Sequence, residues 1–409
     1  MKHNKITLSL AAALTLGMSA STMAAGFQLA EYSATGLGRA FAGEAAMADN
    51  ASTQFRNPAM MTYLDGTQIS MGAIYVDPNI DVNGTINNGQ NEIPTTANDI
   101  ANSAVIPNFY LSHRINEQWA VGLALATNYG METELAGDYL ATGFGNQAKV
   151  MSVEINPNIA YKINDQFSIG GGVRYVMGEG HFGAALPMGG PDLKYMEGDD
   201  TAWGWQLGAA WQLNDNHRIG VNYRSAVDLT LKGSASGLLY GGEHAGSMDL
   251  TLPATAEIAS FHQLSDKFSM HASFNWTDWS SFDKLEANIP SLGSTPDLIK
   301  EENWEDNYRI ALGATYQYTN KLALRTGVAY DTSAVNDEHR TQTIPETDRL
   351  WLSVGAGYQW SQNLSFDAGF TYIFAKDASM SESENGLGTF EGETTGNVWL
   401  AGIQANYRF

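Results

Sequence analysis

The chain has no cysteine and, past residue 24, no apolar run of the roughly 18 residues that a membrane-crossing helix needs. The first absence excludes a disulfide framework, a thiol nucleophile and thiolate metal sites. The second excludes a bundle of membrane helices. Basic residues are scarce too: 22 Lys and Arg stand against 44 Asp and Glu, a formal charge of -22. Such a balance repels polyanions, so no nucleic acid is expected as a partner. The histidines, among them His181, His217, His244, His262, His271 and His339, are scattered without ligand spacing, so neither a metal nor another cofactor is expected. Linkers rich in Pro or Ser are missing, and composition does not shift along the 409 residues. One repetitive architecture accounts for this better than several domains.

What is present begins with an export signal. Lys2 and Lys5 precede an apolar stretch from Ile6 to Ala20, and Thr22, Met23 and Ala24 supply the small side chains read at a cleavage site. Residues 1–24 are therefore expected to be removed. The loss of two lysines leaves 20 basic against 44 acidic residues, a formal charge of -24.

The rest of the chain alternates. Trp399, Ala401, Ile403, Ala405, Tyr407 and Phe409 interleave with Leu400, Gly402, Gln404, Asn406 and Arg408. Trp203, Trp205, Leu207, Ala209 and Trp211 do the same against small and polar neighbours, as do Leu322, Leu324, Val328 and Tyr330. Period two is the signature of a strand, and lipid on one side with a wet lumen on the other demands this division. Phe409 at the end of such a run resembles the C-terminal signal read by the barrel assembly machinery. Outer-membrane lipid and lipopolysaccharide would surround the apolar face.

Six tight polar turns punctuate the pattern, at Asn116-Glu117, Asn164-Asp165, Asn214-Asp215-Asn216, Ser265-Asp266, Thr319-Asn320 and Ser361-Gln362. They alternate with long connections rich in Gly and Asp, at residues 79–103, 130–147, 182–200, 233–246, 284–302, 332–347 and 377–393. Counting the intervals predicts an all-β fold, a monomeric transmembrane antiparallel barrel of about 14 strands over residues 67–409. Residues 25–66, rich in Gly and Ala and without strand alternation, are left over. A lumen of that strand number is too wide for wall side chains to fill, so this segment is expected to plug it as a hatch.

At this point the residues are familiar. Ala25-Gly26-Phe27-Gln28-Leu29, then Gly36-Leu37-Gly38-Arg39-Ala40-Phe41-Ala42-Gly43-Glu44-Ala45, then Arg56-Asn57-Pro58-Ala59-Met60 resemble the start of the mature FadL/TodX family of outer-membrane transporters for long-chain fatty acids and other hydrophobic compounds. The likeness is close over about forty residues and is one of pattern elsewhere. It implies a 14-stranded barrel with an N-terminal hatch and an outer hydrophobic groove between the third and fourth extracellular loops. It also implies a deeper lumenal pocket and sideways exit of ligand through a gap in the wall. The hatch motif maps onto Asn57, Pro58 and Ala59, and the N-terminus that reaches the deep pocket onto Gly26 and Phe27.

Site residues follow from the same logic. The third loop offers Phe182, Leu186, Met188, Leu193 and Met196, and the fourth Leu238, Leu239 and Tyr240, an apolar load that suits a flexible acyl chain. Inward strand parity nominates Arg174, Arg309 and Arg325 as partners of a carboxylate, with Arg224 and Arg408 behind them. An enzyme is not expected, because Gly233-Ser234-Ala235-Ser236-Gly237 lacks the central serine of a nucleophile elbow. Two alternatives stay open at this stage: a monoaromatic hydrocarbon channel of the same family, and a general porin, which would need no hatch.

Overall fold

The computed structural model describes residues 26–384 and 386–409; the expected export signal lies outside the described residues. Fourteen strands form one antiparallel barrel. In chain order they are β1 (Thr67–Asn87), β2 (Ala104–Arg114), β3 (Trp119–Ala126), β4 (Gln147–Lys162), β5 (Phe167–Ala185), β6 (Asp192–Asn214) and β7 (His217–Arg224). Then come β8 (Thr255–Ser265), β9 (Phe268–Thr277), β10 (Asn307–Gln317), β11 (Leu322–Asp331), β12 (Arg349–Gln359), β13 (Leu364–Ala375) and β14 (Gly388–Arg408). Each pairs with its sequence neighbours, and β14 closes on β1 from Gln68↔Arg408 to Asn87↔Thr389. Closure leaves no free edge, the condition for placing strands in lipid.

All six tight turns fall where expected, at one end of the barrel. The other end carries the long connections, which face outside in barrels of this kind. Here the structure corrects the strand bounds. β5 runs on to Ala185 and β6 begins at Asp192, inside the stretch expected as the loop 182–200. Val227–Ser236 and His244–Leu252 are likewise strands flanking the fourth connection, so the serines of 233–237 lie on a strand and not in a loop. Beyond the bilayer the outward face meets water, so Glu179, Glu197 and Asp199 alternate with inward apolar residues. Charge there marks an exposed strand face, although it reads as a loop in the sequence.

On the outside, Trp203, Trp205, Leu207, Ile310, Leu312, Val354 and Ile403 are exposed in a continuous apolar belt. The inward residues between them are small or polar, as the alternation requires.

Residues 26–66 stand inside the barrel as short turns: α1 (Ala34–Leu37), a 3-10 turn at Glu44–Ala46, α2 (Thr53–Arg56) and a second 3-10 turn at Pro58–Tyr63. Ser33 caps α1 by accepting from the Gly36 N–H, and the Asn57 side chain accepts from the Ala59 N–H with Pro58 preset for the first position. α1 packs on β12, β13 and β14, the first 3-10 turn on β7 and β8, and the second on β3 to β6. The segment therefore touches the wall almost all the way round. Gly327 shows how close it comes: a Cβ there would stand 2.1 Å from the Arg39 carbonyl oxygen. Only glycine admits that approach in a strand interior.

Candidate ligand cavity and wall opening

The wall arginines do not gather at one site. Arg174 donates from Nε and Nη2 to Glu154 Oε2 at 3.1 and 2.9 Å, and from Nη1 to the Ser225 carbonyl at 2.6 Å. Arg224 shares the same carboxylate, Nη2 to Glu154 Oε1 at 2.6 Å, and its Nη1 reaches the Phe55 carbonyl of the hatch segment at 2.7 Å. Arg309 pairs with Asp331 at 2.9 Å and donates to the Ala40 carbonyl at 2.8 Å. Arg325 pairs with Asp367 at 2.6 Å. Of the three expected carboxylate partners, Arg174 borders none of the main cavities, and Arg309 lines a more polar one beside residues 28–30. Arg325 lines a third, open near the short turns. Strand parity places each side chain inward but says nothing of what meets it there, and what meets Arg224 and Arg309 is hatch backbone.

An apolar cavity, about 750 Å³ with the open space at its mouth counted, lies toward the long connections. Met131, Phe182, Met196, Leu231, Leu250, Leu285 and Ile289 wall it, with Phe27 and Phe282 at its base. Phe27 is held in an aromatic box, its ring centroid 4.6 Å from Trp279, 5.5 Å from Phe282, 6.1 Å from Tyr129 and 6.2 Å from Trp304. Gly26 makes this possible: its φ of 62° is left-handed, and a Cβ would fall 2.4 Å from Trp304. Trp279, Phe282 and Trp304 went unnoticed in the sequence, although three large aromatics within one connection are a visible signal.

Lys149, His181 and Glu197 border the cavity from the outward parity of their strands, where Lys149 is engaged with Glu179 at 2.9 Å. The titratable side chain buried at the cavity itself is Glu302, in the connection before β10. Burial pushes its carboxyl up to about 7, partly offset by Lys300 and by the Trp304 indole N–H that Glu302 accepts at 2.9 Å. Glu302 was also missed; nothing distinguishes it in sequence from 43 other acidic residues until its burial is known.

The eight expected groove residues divide. Phe182 and Met196 are buried and line the cavity; Tyr240 is buried and donates to Asp297 Oδ2 at 2.8 Å. Leu186 and Leu193 are half-buried, while Met188, Leu238 and Leu239 stand exposed at loop tips. The fourth connection is stitched to the third, Leu238 N to Asp192 O at 2.9 Å and Leu239 N to Leu193 O at 3.1 Å.

The pairing of the wall is interrupted between β2 and β3. β2 and β3 pair from Arg114↔Ala120 to Phe109↔Leu125 and then part. The chain after Ala126 instead meets the N-terminal segment: Leu29 N donates to Asn128 O and Gly130 N to Phe27 O, both at 2.8 Å, and Gln28 bridges Tyr129. The two sides meet again at the Ala101↔Thr133 bridge. Between these pairings, residues 102–108 and 126–132 frame a gap in the wall's hydrogen bonding. Its base is tied to the backbone of Phe27, the floor of the cavity.

Comparison with known proteins agrees with this geometry. The family model described as "Outer membrane protein transport protein (OMPP1/FadL/TodX)" matches residues 15–409. A "47 kDa outer membrane protein" of Pasteurella multocida is 38% identical over the whole of both chains. A "Long-chain fatty acid transport protein" of Escherichia coli is 34% identical, with 99% of this chain and 98% of that one covered. The crystal structure of a Pseudomonas aeruginosa FadL homologue superposes with a TM-score of 0.85 at 26% identity, covering 94% of this chain and all of the other.

Proposed function

Because this chain belongs to the OMPP1/FadL/TodX family of outer-membrane transport proteins, we propose that it carries long-chain fatty acids inward across the outer membrane. The observation that carries this reading is the apolar lining of the cavity floored by Phe27, where Met131, Met196, Leu231, Leu250 and Leu285 converge and suit a flexible acyl chain. Each methylene buried there contributes about 0.8 kcal/mol without fixed geometry.

In this reading a ligand first meets the apolar tips Met188, Leu238 and Leu239, then lies along the cavity wall with its carboxyl at the Glu302 and Thr343 end. Residues 26–66 act as the hatch. Their backbone is wedged against wall glycines and bonded by wall arginines, which opposes passage straight down the lumen. The way out is the gap between β2 and β3, and its tie to Phe27 lets a ligand that displaces the floor loosen the gap. Arg224 and Arg309 then tie the hatch to the wall, Arg174 and Arg325 pair with the wall carboxylates Glu154 and Asp367, and Arg309 is the one that a ligand in the lower cavity would touch.

A monoaromatic substrate is favoured by one specific feature, the aromatic box at the cavity's base together with the lack of an inward Lys or Arg on its lining. Native mass spectrometry of the purified protein, offered a long-chain monounsaturated fatty acid and toluene in competition, separates the two. Retention of the acid is expected. Retention of toluene with no bound acid overturns the fatty acid reading.

A further inference from the structure

Two whole amides at the wall gap have no partner. Asn108 and Asn128 are 4% and 1% exposed, and neither the oxygen nor the nitrogen of either side chain makes a hydrogen bond. Buried polar groups are nearly always satisfied, so a pair of idle amides calls for an explanation. Their position supplies one. Asn108 lies on the inward parity of β2, one residue past the last β2–β3 pair, Phe109↔Leu125. Asn128 lies on the opposite rim, three residues past Leu125, with its backbone carbonyl bonded to Leu29. Of the other rim residues near them, Val105, Ile106 and Pro107 are apolar, and Thr127 adds a hydroxyl.

We infer that Asn108 and Asn128 are selectivity residues of the sideways exit and receive the carboxyl head of a fatty acid as it turns from the lumen into the wall. An amide presents both an N–H donor and a carbonyl acceptor, so the pair serves an ionised or a protonated carboxyl equally. A neutral hydrocarbon gains nothing from it. The inference rests on the sideways-exit reading, and its test separates the two.

The variant is Asn108→Leu with Asn128→Leu in the full chain, assayed with a long-chain fatty acid and the alcohol of the same length. Uptake of the acid by cells should slow about tenfold, the scale of one lost hydrogen bond to a charged group. Uptake of the alcohol should stay at the parent rate, as should affinity for the acid in detergent, since neither residue lines the apolar cavity. Heat resistance should match or exceed the parent, because unpaired amides give way to apolar groups. In parallel, Pro107→Cys with Thr127→Cys places a disulfide across the gap, at positions the β2–β3 register would oppose if continued, in a chain with no other cysteine. Oxidation should stop uptake of acid and alcohol, and reduction restore it. Undiminished uptake through the oxidised gap overturns sideways exit and this inference with it. If the cross-link blocks uptake but the Leu pair carries acid like the parent, or slows acid and alcohol equally, the selectivity role alone falls.

Discussion

The lower and upper halves of the lumen are built on opposite principles. Around the hatch, buried arginines are matched: Arg174 and Arg224 share Glu154, Arg39 bonds both Glu44 and Asp49, and Arg309 reaches Asp331 and the Ala40 carbonyl. Around the upper cavity the lining is apolar, with one buried carboxyl. Matched charges fix geometry, since each partner left alone would be costly. Apolar walls tolerate rearrangement and admit ligands of varied shape. In the proposed function, this difference gives retention of the plug to one half and capture of ligand to the other.

The strongest way to break this comparison is Glu154→Ala, which strands two buried arginines at once. A loss of about 3–5 kcal/mol is expected for a broken buried pair, measured as a fall in the urea midpoint of the barrel-to-unfolded mobility shift. Ligand affinity of the protein that still folds should be unchanged. A large loss of affinity with stability intact would reverse the roles given to the two halves.

Phe27→Ala tests the upper half. Removing the ring from the cavity floor should weaken binding of a long-chain ligand by about 1.5–3 kcal/mol, or one to two decades, read by titration calorimetry. The barrel's resistance to urea should change little, because Phe27 joins the wall through its backbone carbonyl, which the substitution keeps.

Gly327→Leu tests whether the hatch seats against the wall. The side chain has nowhere to go while the Arg39 carbonyl stands 2.1 Å from its Cβ, so the hatch must shift, at a cost of about 1–3 kcal/mol. Single-channel conductance in planar bilayers should rise above the parent's. A conductance equal to the parent's would mean that the segment does not close the lumen there.

These contrasts also explain what the sequence disclosed. Strand number and turns were legible because period-two alternation and Asn-Asp turn chemistry are local. The inward parity of Arg174, Arg309 and Arg325 was legible for the same reason. Their partners were not, because Glu154 sits twenty residues from Arg174, and the Ala40 carbonyl is distant from Arg309 in the chain. The wall glycines were readable in principle, since a strand-interior glycine such as Gly327 signals close approach of another backbone. The wall gap was hidden because the Thr127-Asn128-Tyr129 break in β3 looks like an ordinary strand end until the N-terminal segment is seen pairing with it.

The smallest effect expected concerns pH and the carboxyl in the upper half. Glu302 is held at about 7 in the fold by burial, above the ordinary carboxylate value near 4.3 of an unfolded chain. The folded state therefore binds more protons between these values. Its favourable contribution to stability is complete below the unfolded pKa and is lost as pH rises through about 7. The same titration acts on ligand. Below pH 7 a neutral Glu302 can donate to a carboxylate beside it; above, two carboxylates face each other in a mostly apolar cavity. Affinity for a long-chain fatty acid should fall about tenfold from pH 6 to pH 8, corresponding to one unit of coupled shift, while affinity for the matching alcohol falls less. Glu302→Gln keeps a donor and removes the titration, so its affinity for the acid should change less over this range than the parent's, which also controls for the ligand's own ionisation. Identical pH profiles for the parent and the Gln variant would place the ligand's head away from Glu302, toward the outer end of the cavity.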